Sequence, residues 1–550
     1  MKTHAVAAAV TAVVLAPLAR PGYVLRYDMV FVPRQPLNWE MLAPADSLPR
    51  AVPLDALVSV ANLAVPGWLL QRLALVAVVY LAALGAARLM PAERTGPRVV
   101  AALAYAWTPF LAERLLLGQW ALLLAYAALP WLVAAARDVR AGRPGALPRL
   151  VLAAAPAAVT PTGGLIALAA VVVLLPLRSR TTAIAAASVL GLNAPWLVAA
   201  LTGAAGGVSD PQGVPAFAAR AENWAGAWWS LAGTGGIWNA ATVPASRASV
   251  LTPVVTLLVL AIAAAGLRVL RRRLPGVADR LLVLAAGGFL LAAAGAGPGE
   301  PLLEWVVGHV PGGGLLRDGQ KFLIPYALAL ALAFAAGAER LAGVFARRFE
   351  PAAGRMVLAG AVLLPVAVLP DLALGALGAL RPVSYPADWN AVADRVDAAP
   401  GEVLSLPFEG YQSYSWTRGV VVRDPAARYL DAPVLMNDAL RVGPVTVAGE
   451  SPRARTVAES LAAGRPAAEL GFRWVLVRSG TAGQPPASVL TGLRLAYAGP
   501  DLRLWENPAA PPAPAAAPDR RVLALAAHGA AAAIVIFYAL ALLRRRPTPW

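Results

Sequence analysis

The feature that most constrains this chain is a succession of long apolar runs separated by short pieces rich in arginine. Of the 550 residues, 59% are hydrophobic and only 14% are charged, and the mean hydropathy is +0.63. A soluble domain is roughly 45–50% apolar and about 25% charged. Because a bilayer-spanning helix requires an apolar run of about 20 residues, the pattern is typical of a polytopic membrane protein. It disfavours a soluble enzyme, a coiled coil and a disordered chain.

Twelve apolar runs are long enough, or nearly long enough, to cross a bilayer as helices. The fifth and sixth runs are short, and the stretch around Pro161 and Gly164 could form one long helix or two short ones. The first run also resembles a signal peptide, and we favour a retained first span. The runs lie near residues 4–20, 68–90, 99–116, 120–136, 150–160, 164–177, 181–203, 250–269, 281–296, 322–345, 356–378 and 521–543.

The positions of arginine favour twelve spans. With the amino terminus inside, twelve spans place every arginine cluster beside a short loop on the same side, as the positive-inside bias requires. A single span through the fifth and sixth runs would move the later clusters outside. We therefore predict an all-α polytopic bundle of about twelve transmembrane helices, with both termini cytoplasmic. The basic residues are almost all arginine, beside abundant alanine, glycine and proline, and this bias suggests a GC-rich genome and hence a bacterial cell membrane. The inside clusters are Arg94 and Arg98, Arg137–Arg149, Arg178 and Arg180, Arg271–Arg273, Arg347–Arg355 and Arg544–Arg546.

The net charge of +17 does not indicate a nucleic-acid partner. Much of the arginine flanks apolar runs, where it sets topology, so the basic balance says little about DNA or RNA. The chain has no cysteine, which excludes disulfides, thiol nucleophiles and cysteine-ligated metal sites. Its three histidines are too far apart in sequence to suggest a histidine metal site.

The polar remainder predicts the domain organisation. Residues 1–378 form the transmembrane bundle, with extracytoplasmic loops at 21–67, 204–249 and 297–321. Residues 379–506, here called the C-terminal block, have β-rich runs near 402–407, 474–478, 493–498 and 502–505, and helical segments near 387–398 and 454–463. That mixture predicts a small extracytoplasmic α/β domain. A Pro/Ala linker at 507–520 leads to the last transmembrane helix and an Arg-rich tail at 521–550.

Two uses fit many spans with elaborate outer loops: transport, and chemistry on a lipid-borne substrate at the outer face. Transporters usually carry ionisable residues at mid-membrane and internal repeats. The spans contain few deep charges, and no repeat is evident. His528, about seven residues into the last span, is the exception, and a packed helix histidine explains it better than a proton relay.

Several segments together resemble the GT-C superfamily of integral-membrane glycosyltransferases. They are GYVLRYDMVFVPRQPL directly after the first span, AYAWTPFLAERLLLGQWALLLAYAALPWL at 104–132, RDGQKF at 317–322, and the C-terminal block. The chain looks similar to actinobacterial arabinofuranosyl- and mannosyltransferase-like proteins of envelope assembly. The resemblance implies a polyprenyl-phosphate sugar donor, an envelope glycan or lipid-linked glycan acceptor, and contact with membrane lipid.

The resemblance also implies that a carboxylate in the first outer loop is the catalytic base, and Asp28 matches that position. A carboxylate can accept the proton of the attacking hydroxyl. The alternative is a solvated loop residue paired with Arg26 or Arg34. This loop has a lone aspartate where some members have two acidic residues, so the pattern does not support a divalent metal, the cofactor stays undetermined, and no metal ligand is assigned.

The other candidate residues lie in later outer segments. Glu113 could be a second carboxylate, and Arg114 a phosphate partner or a span-end anchor. Arg317 and Lys321, four apart at a predicted helix start, would face one way and clamp the donor phosphate, unless they pair with Asp318 or Glu304. Trp224, Trp228 and Trp229 could stack on sugar or acceptor, although membrane anchoring is the more ordinary role of such residues.

These features predict a membrane glycosyltransferase acting at the outer face. Asp28 would be its base, and Arg317 and Lys321 would hold the leaving phosphate. Two alternatives remain open: a transporter or translocase of lipid-linked glycan, and a non-catalytic scaffold of envelope assembly. A structure with Asp28 far from Arg317 and Lys321 would favour the scaffold.

Overall fold

The fold is described from a computed structural model, which covers residues 1–205, 207–511 and 517–544. Parts of two predicted segments, the Pro/Ala linker at 512–516 and the arginine tail at 545–550, lie outside these residues. The helices up to residue 202 are α1 (Lys2–Leu15), α2 (Trp39–Leu42), α3 (Leu54–Asn62), α4 (Gly67–Leu89), α5 (Thr95–Ala106), α6 (Pro109–Leu116), α7 (Trp120–Arg140), α8 (Ala146–Ala154), α9 (Pro161–Leu174), α10 (Arg180–Leu192) and α11 (Ala194–Thr202).

The remaining helices include the long central helix of the bundle. They are α12 (Gly213–Ala216), α13 (Ala227–Ala232), α14 (Thr252–Arg273), α15 (Ala278–Ala294), α16 (Glu300–His309), α17 (Ile324–Arg348), α18 (Pro351–Val368), α19 (Ala373–Gly378), α20 (Asp388–Ala398), α21 (Ala426–Tyr429), α22 (Pro452–Ala462) and α23 (Pro518–Leu543).

The chain is a multi-pass membrane protein. Within the described residues, eight helical segments are long and apolar enough to span a bilayer, and the bent pair α10–α11 makes a ninth candidate. Each of the twelve predicted apolar runs contains a helix, but α8, α9 and α15 are shorter than 18 residues. The count of twelve spans therefore stays a prediction. The eight segments are Lys2–Ala19, Gly67–Leu89, Thr95–Leu116, Trp120–Arg140, Thr252–Arg273, Gly319–Arg348, Pro351–Val368 and Pro518–Leu543.

The stretch that could have formed one long helix is divided between α8 and α9. The Thr160 side chain accepts a hydrogen bond from the Gly163 backbone N–H, and Pro161 occupies the first helical position. Both are strong signals for a helix start. The 54° bend between α10 and α11 falls at Asn193, whose amide donates to the Val189 carbonyl and accepts from the Trp196 indole.

Helix α17 is the centre of the bundle and packs against α5, α14, α15 and α18. Glycines permit its close approach to α14. A Cβ on Gly337 would lie 1.8 Å from the Ile262 carbonyl oxygen, and one on Gly266 would lie 2.0 Å from the Ala333 carbonyl oxygen. Small residues at helix contacts are the usual means of tight packing in membranes.

The C-terminal block carries most of the β-structure. The segments near 402–407, 474–478, 493–498 and 502–505 all form strands, as predicted: β3 (Val403–Leu406), β9 (Trp474–Arg478), β10 (Arg494–Ala498) and β11 (Leu502–Glu506). With β6 (Val434–Leu435) they form one five-stranded sheet of order β10-β11-β9-β3-β6. Strand β3 is parallel to β6 and β9, and β11 is antiparallel to β9 and β10. The strands are β1 (Tyr23–Val24), β2 (Pro382–Val383), β3 (Val403–Leu406), β4 (Tyr411–Ser413), β5 (Val421–Arg423), β6 (Val434–Leu435), β7 (Leu440–Val442), β8 (Val445–Val447), β9 (Trp474–Arg478), β10 (Arg494–Ala498) and β11 (Leu502–Glu506).

Backbone pairing at two places helps to attach the loop after α1 to this distant part of the chain. Strands β1 and β2 pair, with Tyr23 opposite Val383. Tyr27 makes a bridge with Val422 of the β4–β5 hairpin. The loop that carries Asp28 is therefore held between the membrane bundle and the C-terminal block.

Candidate functional site

The backbone around Asp28 is held on the β4–β5 hairpin. The Tyr27 N–H donates to the Val421 carbonyl at 2.7 Å, and the Arg423 N–H donates to the Tyr27 carbonyl at 3.0 Å. Tyr27 has a φ of +43°, a left-handed conformation that is uncommon for residues other than glycine and that recurs at functional sites. These contacts fix the direction in which the Asp28 side chain points away from the backbone of the loop.

The turn between α6 and α7 supports the same loop from the bundle side. The Asp28 N–H donates to the Leu117 carbonyl at 3.3 Å. Gly118 has a φ of +77°, and a Cβ there would lie 2.1 Å from the Arg26 carbonyl oxygen and 2.4 Å from the Met29 nitrogen. Only glycine allows this approach, since any side chain would collide with backbone atoms.

The Asp28 carboxylate is half-buried and receives two hydrogen bonds. The Tyr411 hydroxyl donates to Oδ1 at 2.5 Å, and the Gln119 amide donates to Oδ2 at 3.3 Å. Burial and the neighbouring Asp28 raise the pKa of the Tyr411 phenol, so it remains a donor. The predicted partners Arg26 and Arg34 do not hold this carboxylate: the Arg26 guanidinium donates instead to the Leu116 and Ala241 carbonyls.

Arg114 lies fully buried beside this group and binds Asp318 through both ends of its guanidinium. Its Nη1 and Nη2 donate to the two carboxylate oxygens at 2.9 and 3.0 Å. Nη1 also donates to Gln119 Oε1 at 2.5 Å, and Nη2 donates to Gln320 Oε1. Burial acts to raise the pKa of Asp318, but Arg114 and Lys321 outweigh it and lower that pKa to about 2.

Lys321 and Arg317 are both charged groups near this site, but they face different carboxylates. The Lys321 ammonium lies 3.4 Å from Asp318 Oδ2 and is close enough to Asp28 to interact electrostatically. The Arg317 guanidinium donates to Glu450 Oε1 at 2.8 Å, while Arg50 binds the other oxygen of Glu450. Burial and the nearby Arg50 lower the pKa of Arg317, against the opposing effect of Glu450.

The local structure explains why the two cations diverge. Spacing alone placed Arg317 and Lys321 on one face of a helix start. In the structure Arg317 precedes a 3-10 turn at Gly319–Leu323, and α17 begins only at Ile324. The expectation that both face one way is therefore wrong.

Glu113 is also fully buried, next to a second carboxylate. Its Oε2 accepts from the Gln320 amide at 3.1 Å, and its Oε1 has no hydrogen-bond partner among the described residues. A Cβ on Gly235 would lie 2.8 Å from Glu113 Oε1 and 2.4 Å from Glu222 Oε2, so the two carboxyl groups approach each other across this glycine. Glu222 in turn binds the Arg247 Nε at 2.7 Å.

The three tryptophans lie around the start of α14 and the end of α15. Each indole N–H donates to a backbone carbonyl: Trp224 to Val250, Trp228 to Ala296 and Trp229 to Pro253. Trp224 and Trp228 are exposed. These contacts suit anchoring at the membrane interface, and a role in sugar or acceptor binding stays a prediction.

The structure therefore joins three of the eight predicted site residues, Asp28, Glu113 and Arg114, in one polar line, and Lys321 adjoins it through Asp318. The line runs from Asp28 through Gln119, Arg114, Gln320 and Glu113 to the Glu222–Arg247 pair. Sequence reasoning missed Tyr411, Glu450 and Arg247, because their partners lie between 25 and 383 residues away in sequence. Within the described residues, no three histidine, aspartate or glutamate side chains group as a metal site.

Comparisons with known proteins bear on the fold. No protein-family model matches the chain, and no curated protein does either. The chain is similar to the cryo-EM structure of the arabinofuranosyltransferase AftD from Mycobacteria, with 18% identity and a TM-score of 0.54 over 92% of this chain and 39% of that one. Two classes of a mutant AftD give TM-scores of 0.55 and 0.52 at 18% and 20% identity, each over 92% of this chain and 41% of the other.

At these identities the comparison establishes the fold. This chain has the fold of part of that arabinofuranosyltransferase, which confirms at the level of fold the resemblance drawn from the sequence. The chain spans about two fifths of the length of those proteins.

Proposed function

We propose that this chain is a membrane glycosyltransferase that moves a sugar from a polyprenyl-phosphate donor to an envelope glycan or lipid-linked acceptor at the outer face. The observation that carries the proposal is the setting of Asp28. Its carboxylate is partly accessible, positioned by Tyr411 and Gln119, and close to the Lys321 ammonium. It occupies this setting in the fold of an arabinofuranosyltransferase.

Transfer needs a base on the acceptor and a counter-charge on the leaving group. The acceptor hydroxyl oxygen forms a bond to the anomeric carbon, and the bond from that carbon to the phosphate oxygen breaks. The bonding electron pair leaves with the phosphate, and Asp28 takes the hydroxyl proton. A carboxylate that already accepts two hydrogen bonds is held in one orientation, which favours proton transfer to it.

Lys321 is the better placed of the predicted phosphate ligands. Its side chain is 26% exposed and lies near Asp28. The two terminal nitrogens of the Arg114 guanidinium, in contrast, already donate to Asp318. We assign Lys321 to the leaving phosphate, and Arg114 to positioning Gln119 and Asp318. Arg317, bound to Glu450, joins the site to the C-terminal block.

The test is sugar-linkage analysis of the envelope from a deletion strain that carries either the wild-type chain or Asp28→Asn. Asparagine keeps the shape and can accept from Tyr411, but it cannot take a proton. We expect one linkage to disappear on deletion and to return only with the wild-type chain. The matched control is Asp46→Asn, a carboxylate in the same loop that pairs with Arg453 at 2.8 Å.

Each outcome separates the proposal from its alternatives. If Asp28→Asn restores the linkage as well as the wild type does, Asp28 is not the base. If no linkage changes in a strain without redundant enzymes, a translocase or a scaffold replaces the transferase. The electrostatic interaction between Asp28 and Lys321 supports the transferase, whereas Arg317 faces Glu450 instead of Asp28.

A further inference from the structure

Helix α16 lies outside the predicted spans, in the outer segment between α15 and α17. One face of this helix is buried. Leu303 and Val307 pack in an apolar cluster with Val214 of α12 and Leu291 of α15. These contacts hold α16 against the outer end of the bundle.

The opposite face of α16 is exposed and mostly apolar. Leu302 is 67% exposed and Trp305 is 55% exposed, and His309 is exposed at the end of the helix. Residues three, four and seven apart lie on one side of a helix, so these three side chains form one stripe, here called the α16 stripe. The His309 ring stacks on the Trp305 ring at a centroid distance of 5.5 Å and so continues the stripe. Contiguous exposed apolar side chains of this kind mark an interaction surface.

The acidic residues of α16 lie on a different side of the helix. Glu300 and Glu304 are four residues apart, and both are partly exposed. At 3.6 residues per turn, each lies about 100–180° around the helix from the members of the α16 stripe. An apolar face combined with a charged face is the pattern of a helix that lies in the plane of the membrane interface.

The α16 stripe continues a surface that faces lipid. Leu257 is exposed on α14, which is long and apolar enough to span a bilayer. The exposed indole of Trp224 donates to the Val250 carbonyl just before α14, and that of Trp228 donates to the Ala296 carbonyl just before α16. Because tryptophan is enriched at the level of the headgroups, these two indoles extend the lipid-facing surface of α14 to the start of α16.

A lipid surface fits the α16 stripe better than a protein partner does. The helix has ten residues and is therefore about 15 Å long. One side of so short a helix offers far less area than the roughly 800 Å² per partner that a stable protein–protein interface buries. Contact with lipid has no such minimum area, since each apolar side chain gains separately from leaving water.

The position of α16 also bears on the segment that follows it. The 3-10 turn Gly313–Leu316 packs closely on the helix, because a Cβ on Gly313 would lie 2.3 Å from the Val306 carbonyl oxygen. Arg317 and Lys321 come directly after this turn. The depth of α16 in the membrane therefore sets the level of this charged segment.

We propose that the α16 stripe lies in the outer lipid leaflet, at the boundary between headgroups and acyl chains, and holds the segment 317–321 at the membrane surface. A helix in this position buries its apolar face about 5–10 Å into the boundary region. The proposal does not depend on sugar transfer, because it concerns only the contact of one helix with lipid.

The experiment measures the depth of spin labels on single cysteines of the full chain in vesicles of phosphatidylcholine and phosphatidylglycerol. The chain has no cysteine, so each label reports one position. Leu302→Cys and Trp305→Cys report the α16 stripe. Ala264→Cys, exposed in the middle of α14, is the reference for lipid, and Thr491→Cys, exposed in the C-terminal block, is the reference for water. Collision of each label with oxygen and with a water-soluble nickel chelate, followed by electron paramagnetic resonance, gives its depth.

We expect the labels at Leu302 and Trp305 to lie about 5–10 Å inside the boundary, shallower than the label at Ala264. The proposal is overturned if both labels collide with the nickel chelate as often as the label at Thr491 does, because the stripe is then in water. It is also overturned if both labels are shielded from both reagents and broadened by the label of a second copy, because the stripe is then a contact between copies.

A second measurement tests whether α16 holds the segment that follows. The label is placed at Leu315, which is partly exposed in the 3-10 turn, and the α16 stripe is made polar by Leu302→Glu combined with Trp305→Glu. We expect the label to become more accessible to the nickel chelate in this double variant and to stay unchanged in Leu495→Glu, an exposed apolar residue of the C-terminal block. An unchanged depth in the double variant would overturn this part of the proposal. The single-cysteine labels decide the lipid contact even if the double variant folds poorly.

Discussion

The Tyr411 hydroxyl donates a 2.5 Å hydrogen bond to Asp28 Oδ1, and this contact joins the candidate base in the first loop to the C-terminal block. The block therefore takes part in positioning the base. Because Tyr411 is the first residue of β4 in the β4–β5 hairpin that also bridges Tyr27, one hairpin fixes both the backbone and the side chain at this point.

Tyr411→Phe should lower kcat about 10- to 100-fold and leave the donor KM nearly unchanged, because the carboxylate keeps its charge and loses its orientation. The measurement is transfer of the sugar that linkage analysis identifies. The control is Tyr497→Phe, which removes a similar Tyr–Asp hydrogen bond of 2.8 Å to Asp388 within the C-terminal block. Equal effects of the two substitutions would mean that Tyr411 acts only on stability.

Gly118→Ala should abolish most activity and lower the thermal midpoint. The new Cβ would lie 2.1 Å from the Arg26 carbonyl oxygen, so the loop that carries Asp28 must move. Gly142→Ala is the matched control, since its φ of +65° is similar but its Cβ would meet open space. That control should show only the conformational cost of about 1–2 kcal/mol. The interpretation fails if Gly118→Ala costs no more than Gly142→Ala.

Asp318→Asn should destabilise the fold by about 3–5 kcal/mol, since it leaves the buried Arg114 without its anion. Asp279→Asn breaks an exposed pair with Arg271 and should cost about 0–1 kcal/mol. Thermal unfolding of both variants in detergent at neutral pH checks the difference. Comparable midpoints would show that Arg114 finds another partner.

The same pair predicts a pH dependence with a definite sign. The folded-state pKa of Asp318, about 2, lies below its ordinary value of about 3.9. Its carboxylate therefore contributes stability above the ordinary pKa and loses that contribution as the pH falls from about 4 through 2. The midpoint of the wild type should converge on that of Asp318→Asn over this window, and a constant difference would contradict the assignment.

How much of this site could be predicted from the sequence depends on how local each contact is. Asp28 is predicted through the resemblance to the GT-C pattern, and Glu113, Arg114 and Lys321 because they lie at the outward ends of apolar runs. The line that connects them could not be found, because it depends on pairs such as Arg114 with Asp318, which are 204 residues apart. Helix and strand positions were predictable because their signals are periodic and local.

Spacing alone misled at the RDGQK segment. The spacing of four residues between Arg317 and Lys321 suggests one helical face. The structure has a 3-10 turn there instead, and Gly319 lies so close to α15 that a Cβ on it would be 2.5 Å from the Leu291 carbonyl oxygen. Packing against α15 decides the local conformation there, and no periodic signal reports it.

Lys321→Gln should raise the donor KM about tenfold or more, because it removes the accessible cation beside Asp28. Arg317→Gln should leave the donor KM unchanged and lower the thermal midpoint, because it breaks the buried link to Glu450. Steady-state kinetics of both variants with the identified donor distinguish these roles. A raised KM in Arg317→Gln alone would return the phosphate to Arg317.

The β1–β2 pairing also constrains the membrane topology. The pairing of β1 with β2 places residues 24 and 383 on the same side of the membrane, which requires an even number of spans between them. The ten spans predicted between these residues satisfy this requirement if α8 and α9 each cross the membrane. If α8 and α9 together made one crossing, the number would be nine, which is odd. Together with the arginine distribution, this predicts that the α9–α10 loop lies inside.

Because the chain has no cysteine, single cysteines report its sidedness directly. Ser179→Cys, between α9 and α10, should react with an impermeant maleimide only after the cells are permeabilised. Thr491→Cys, exposed in the C-terminal block, should react in intact cells. Labelling of Ser179→Cys from outside would contradict the twelve-span topology. Such labelling would also be incompatible with the predicted inside position of Arg178 and Arg180, which flank Ser179.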